Sequence, residues 1–238
     1  IEIANLLFNT DMVLKHKEFY YAIGYLDSIR HFELPIHNFV IVTKFDKDGI
    51  VYWQNTIGDT IHKYQPDQAV FHKDELYIVG RRDSIEDVQI IKLDTSGNMI
   101  FHHSIPCIPS LYYKISKGIF PLSDSVLYII GIGDKSPGVM KYWNVIINQN
   151  GDSLSTFEFN NPYYFGIQKA FLGQDSLLYL HDYVLQKFDL QGNFITYTNY
   201  MPDIAVIYNT QYISQNELLL LGNTNFLDHA IVAVDSNY

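Results

Sequence analysis

The stretch Ile41 to Gln54, IVTKFDKDGIVYWQ, decides how the rest of the chain is read. An apolar strand runs into Asp46, two polar residues follow, then Gly49, and a second strand begins. A type I turn favours Asp or Asn at its first position, where the side chain caps the turn, and a glycine three residues later supplies the positive φ that closes a tight hairpin. The pattern returns as QIIKLDTSGNMIFH around Asp94 and Gly97, NVIINQNGDSLSTF around Asn148 and Gly151, and LQKFDLQGNFITYT around Asp189 and Gly192. AIVAVDSNY starts a fifth copy at Asp235.

Upstream of each hairpin lies a second element, a short polar turn followed by an apolar strand that usually ends in glycine. Its copies are KEFYYAIGY ending near Gly24, DELYIVGRR at Gly80, DSVLYIIGIG at Gly131 and NELLLLGN at Gly222, while DSLLYLHD carries His181 there. A weaker strand precedes each polar turn, such as QAVFH from Gln68 to His72, which makes four strands per unit, A to D. The hairpin positions 46, 94, 148, 189 and 235 recur at a period typical of propeller blades. No stretch holds a helical period of apolar residues, so a parallel βαβ sheet is disfavoured.

The expected fold is therefore an all-β propeller of four-stranded blades, with five units visible, and a β-sandwich is the alternative. Residues 1–238 are expected to form one propeller domain or a propeller segment. Closure as a five-bladed ring would require Ile1 to Phe8 to pair with Ala230 to Val234; otherwise the units form an arc of a larger propeller. The start at Ile1 suggests a chain taken from a longer one.

Of the 238 residues, 47% are hydrophobic and 18% charged, enough apolar side chain for a large core. The formal charge of −10 argues against nucleic acid as a partner, because binding a phosphate backbone needs clustered Lys and Arg. No apolar run reaches the ~20 residues that span a bilayer. The single cysteine, Cys107, cannot form an internal disulfide.

The first hairpin resembles the blade signature of repeat propellers in large secreted or surface bacterial proteins, in which Lys-x-Asp-x-x-Gly is followed by Trp and Thr-x-Gly. Those positions are Lys44, Asp46, Gly49, Trp53, Thr56 and Gly58; the other copies carry Phe101, Ser155 and Thr196 in place of the Trp. The resemblance implies export or surface attachment and no single activity.

Catalytic and metal motifs are weak by comparison. His102 and His103 adjoin on an expected strand, where neighbours face opposite ways and cannot converge on one metal; His31 and His37 share a loop. Gly131, Gly133 and Gly138 lack the helix that a phosphate loop requires and are assigned to a B-to-C loop. No catalytic residue, metal or cofactor is assigned. The B-to-C and D-to-A loops are the long, varied ones, and they are expected to present Tyr112, Tyr113, Tyr163, Tyr164, Arg81 and Arg82 to a ligand. A non-enzymatic binding or scaffold module for a glycan or protein is the leading reading, and a hydrolase or lyase at the central channel is the alternative.

Overall fold

The computed structural model describes residues 7–27, 38–59, 62–82, 87–105, 111, 113–136, 139–159, 169–173, 175–181, 184–199, 206–214, 217–223 and 229–235, the strands beyond 199 by their backbone alone. Blade 1 is built from β1 (Leu7–His16), β2 (Phe19–Asp27), β3 (Asn38–Phe45) and β4 (Val51–Ile57). Blade 2 follows with β5 (Tyr64–His72), β6 (Glu75–Arg82), β7 (Asp87–Leu93) and β8 (Met99–Ile105). Blade 3 holds β9 (Tyr113–Ser123), β10 (Val126–Ser136), β11 (Val139–Asn148) and β12 (Ser153–Phe159). Blade 4 holds β13 (Lys169–Leu172), β14 (Leu178–His181), β15 (Val184–Phe188) and β16 (Phe194–Asn199). The last sheet has three strands, β17 (Val206–Ser214), β18 (Glu217–Asn223) and β19 (His229–Asp235). Every sheet is an antiparallel meander in chain order, and the described residues contain no helix.

The hairpin chemistry is as the sequence dictates. Asp46 Oδ1 accepts from the backbone N–H of Asp48 at 3.0 Å and of Ile50 at 2.9 Å, and Asp94, Asn148 and Asp189 cap their turns in the same way. Gly49, Gly97, Gly151 and Gly192 sit at φ of 82°, 89°, 85° and 84°. These are positions an L side chain occupies only under strain.

The first strands of consecutive blades, β1, β5, β9 and β13, lie side by side and form the inner row. Apolar faces of neighbouring sheets fill the spaces between blades. Tyr21, Ile23 and Val42 of blade 1 meet Leu76, Ile78 and Leu93 of blade 2. Tyr77, Val79 and Ile90 meet Ile129, Trp143 and Val145, and Tyr128, Ile130 and Tyr142 meet Leu178, Leu180 and Phe188. The second strands of blades 1 to 4 thus fill blade interfaces, and the inner row belongs to the first strands. The side chains of Leu219 and Leu221 lie outside the described residues.

Between blades, the signature residues act as ties. Lys44 Nζ donates to the Thr95 carbonyl at 3.0 Å, and Trp53 Nε1 donates to the same oxygen at 3.1 Å, so blade 1 holds the hairpin of blade 2. Lys92 repeats the step on Gln149 in blade 3 at 3.1 Å. The resemblance motif is in this way a structural device: Asp and Gly make a blade's own turn, while Lys and Trp grip the next one.

Several boundaries differ from expectation, chiefly in the inner strands, which are longer than the apolar pattern shows. All but β13 carry a bulge that breaks the two-residue alternation. The register skips Asp11 in β1, Asp67 in β5, Lys117 in β9 and Tyr208 in β17. Opposite each skip stands the recurrent glycine of the second strand: Gly24, Gly80, Gly131 and Gly222. A Cβ at Gly80 would run into the Gln65 carbonyl oxygen, and one at Gly131 into that of Ile115, so the bulged backbone fits only against glycine.

One loop assignment needs correction. Gly131 and Gly133 lie inside β10, which stays paired to β11 as far as Asp134 opposite Met140; Gly138 lies outside the described residues. Leu7 and Phe8, the end of the segment that a closed ring would pair with Ala230 to Val234, pair with Asp27 and Leu26 as the start of blade 1's own first strand. Residues 1–6 lie outside the described residues.

Candidate functional site

The blades' A-to-B and C-to-D turns share one end of the fold, and the B-to-C and D-to-A connections share the other. At this loop end, the junction of blades 1 and 2 collects polar side chains from four places in the chain. After β4, Gly58 at φ 140° lets the chain fold so closely that a Cβ would meet the Tyr64 and Phe39 rings. The next residue, Asp59, turns its carboxylate back on the segment that follows. It accepts from the His62 backbone N–H at 2.8 Å, meets His62 Nδ1 at 2.9 Å and accepts the Tyr64 hydroxyl at 2.9 Å.

Tyr64 is buried at the start of β5, and its ring meets that of His102 of β8 with centroids 5.3 Å apart. Burial first, and then the bond to Asp59, pushes the Tyr64 hydroxyl up to about 12, against the opposing pull of Arg82. Burial also lowers the His102 pKa, helped by the positive charges of Arg82 and His103 and opposed by Asp59. His102 is therefore neutral at neutral pH, and its enclosed Nε2 has no hydrogen-bond partner among the described residues. Beside this cluster a cleft open to solvent is lined by Val40, Tyr64, Pro66, Gly80, Arg81 and Gln89.

A second polar group occupies the inner row. Asp67, the bulged residue of β5, accepts from Arg81 Nε at 3.1 Å and from Ser116 of blade 3 through its backbone N–H at 3.1 Å and its hydroxyl at 2.9 Å. Burial raises the Asp67 pKa despite these partners. Asp11, the equivalent residue of blade 1, has its pKa raised by lost solvation and then by the Asp67 charge.

The residues proposed from sequence are distributed unevenly. Arg82 joins the Asp59–His62–Tyr64–His102 cluster. Arg81 does not reach a ligand-facing loop: both arginines lie in β6, and alternation turns Arg81 inward to its ion pair with Asp67. Tyr113 opens β9, its side chain outside the described residues, as are Tyr112, Tyr163 and Tyr164, along with His31, His37 and Cys107. His102 and His103 do face opposite ways: His102 meets Tyr64, and His103 packs against Phe101 with ring centroids 4.8 Å apart. Asp59, His62 and Tyr64 escaped the sequence reading, although the run Asp-x-x-His-x-Tyr directly after Thr-x-Gly marks them. No group of His, Cys, Asp and Glu among the described residues is arranged to hold a metal ion.

Against this geometry, the chain is similar to the WD40 domain of Neurospora crassa Pan2, with TM-score 0.61, 9% identity, and cover of 97% of this chain and 63% of that one. The fold is a β-propeller. BamB from Moraxella catarrhalis gives TM-score 0.52 and 15% identity over 93% of this chain and 71% of its own. Puromycin hydrolase gives 0.55 and 9% over 92% and 38%. The propeller therefore spans less than two thirds of the Pan2 domain and of the hydrolase. Identities this low carry the fold and nothing of the activity. No protein-family model matches the chain, and no curated protein matches it.

Proposed function

We propose that this propeller is a non-enzymatic binding module, and that its protein or glycan ligand docks on the loop end across the junction of blades 1 and 2. The observation that carries the reading is the convergence of Asp59, His62, Tyr64, Arg82 and His102 beside a cleft open to solvent. A shallow polar patch on a rigid frame suits recognition of an extended surface. Tyr112, Tyr113, Tyr163 and Tyr164 are proposed to widen the contact on neighbouring loops. The resemblance of the first hairpin to repeat propellers of secreted and surface bacterial proteins supports an exported, surface-attached role within a longer chain.

Glycan arrays and pull-downs with the intact chain and its Arg82→Gln and His62→Ala variants test this. The expected result is one ligand class retained by the intact chain and weakened at least about 10-fold by either change, with unchanged circular dichroism. Binding indifferent to both changes would remove the site.

The second reading is a hydrolase or lyase on the inner row, favoured by the raised pKa of Asp11 next to the Asp67–Arg81 pair. Against it, the Asp67 carboxylate is 6% exposed and occupied by Arg81 and Ser116, the arrangement of a tie between blades. Turnover in a hydrolase substrate panel that disappears in Asp11→Asn would reverse the order of the two readings.

A further inference from the structure

The cross-strand registers allow the described blade junctions to be superposed residue by residue. Between blades 1 and 2, Val42 opposite Ile23 faces Ile91 opposite Ile78. Between blades 2 and 3, the same places hold Ile90 opposite Val79 and Val145 opposite Ile129. Between blades 3 and 4 they hold Asn144 opposite Ile130 and Gln186 opposite Leu180. An aliphatic pair has become an amide pair on both facing sheets at once. The surroundings stay apolar, with Ile130, Tyr142, Leu180 and Phe188 in the same cluster.

Both amides are sealed, Asn144 at 0% and Gln186 at 1% exposure. Asn144 Nδ2 donates to the Tyr128 hydroxyl oxygen at 2.6 Å. Asn144 Oδ1 and Gln186 Oε1 find no donor among the described residues. Elsewhere a lysine reaches over the equivalent tyrosine, Lys44 over Tyr21 and Lys92 over Tyr77. At this junction Ile146 stands opposite Tyr128 and supplies no donor. Two buried acceptors without donors are rare in folded proteins and call for a partner.

We infer that Asn144 and Gln186 hold an internal water between blades 3 and 4. Water carries the two O–H donors that two orphan carbonyl oxygens require, and the Tyr128 hydroxyl, already accepting from Asn144, has its proton to give to the water oxygen. Three hydrogen bonds is the usual complement of a buried water. A cation fits less well, since all three oxygens are neutral and the shell is apolar.

The test is a pair of measurements on the whole chain. Water-to-protein NOE spectroscopy should find a long-lived water at the Asn144 and Gln186 side-chain amides. Thermal unfolding of Asn144→Ile, Gln186→Val and the double variant, which installs the pair found between blades 2 and 3, should show each single change lowering the midpoint by about 2–4 °C. The double variant, which expels the water with both its partners, should lose less than the two singles together. A direct Asn144–Gln186 amide bond with no water signal overturns the inference. So does a single variant that raises the midpoint, as a dry pair of unsatisfied acceptors would.

Discussion

At its hairpin end, the junction of blades 1 and 2 is held by Lys44 and Trp53 on the Thr95 carbonyl, with Asn55 donating to Gly97. At its loop end other residue types meet: Asp59 gathers His62 and Tyr64, and His102 is pressed against Tyr64 with a ring nitrogen left over. The hairpin end directs its polar groups to backbone partners fixed by the turn, and its lysine tie recurs once, in Lys92 on Gln149, before Ile146 takes the place in blade 3. The loop end pairs side chain with side chain, and its arrangement at this junction is built from residues that do not recur. The repeated turns shape the blades; the cluster that does not recur is the part we propose to receive a ligand.

The comparison can be broken most severely at glycine. Gly97 sits at φ 89° with a prospective Cβ 3.0 Å from Trp53, whereas Gly49, at φ 82°, has nothing within 4 Å. Gly97→Val should cost about 3 kcal/mol or more in urea unfolding, from left-handed backbone strain plus the clash, and Gly49→Val roughly half as much. Equal losses would show that Trp53 does not bear on the hairpin of blade 2.

Removing a buried ion-pair partner comes next. Asp67→Ala removes the buried ion pair with Arg81 and unties Ser116 of blade 3, so it should cost about 3 kcal/mol by the same measurement. Asp11→Ala, at the equivalent bulge, should cost well under half of that, because no hydrogen bond to Asp11 is present among the described residues. A similar loss at both would show the bulged positions to be alike.

A smaller effect is expected from Trp53→Phe, which keeps the ring and removes the N–H bond to Thr95, at about 1 kcal/mol.

Acidity should separate the two ends with the smallest changes. His102 has a folded pKa below 6.5, so the unfolded chain takes up its proton first; the stability it contributes is complete above 6.5 and is lost as pH falls toward the folded value. At the hairpin end, desolvation works to raise Asp94 and Asp189, but their N–H partners together outweigh it and hold both below 3.8, so their contribution is lost only as pH falls below 3.8. Midpoints measured from pH 8 to pH 3 should show the first loss at mildly acidic pH, abolished in His102→Leu, and the second unchanged by it.

The turns were legible in sequence because each is settled within four residues: Asp46 caps its own backbone and Gly49 closes it, whatever the rest of the chain does. The recurrent Gly80 and Gly131 were equally visible, but their purpose was not, since it depends on a carbonyl in the neighbouring strand. Arg81 and Arg82 show the limit most sharply. They are adjacent and of one type, and only strand alternation in β6 sends one to Asp67 inside and the other to the Tyr64 cluster at the loop end.

By itself the sequence determined the all-β class, the blade period, the four tight hairpins and the strand that fills each interface, because these rest on local turn chemistry and on two-residue alternation. Tertiary structure alone decided that Lys44 and Trp53 hold the next blade's turn, that the inner strands bulge at Asp11 and Asp67, and that Asp59, His62, Tyr64, Arg82 and His102 meet at one junction. Those contacts join residues up to 51 positions apart, and which side chains meet across such a gap depends on how sheets twist and stack, a geometry no local pattern encodes.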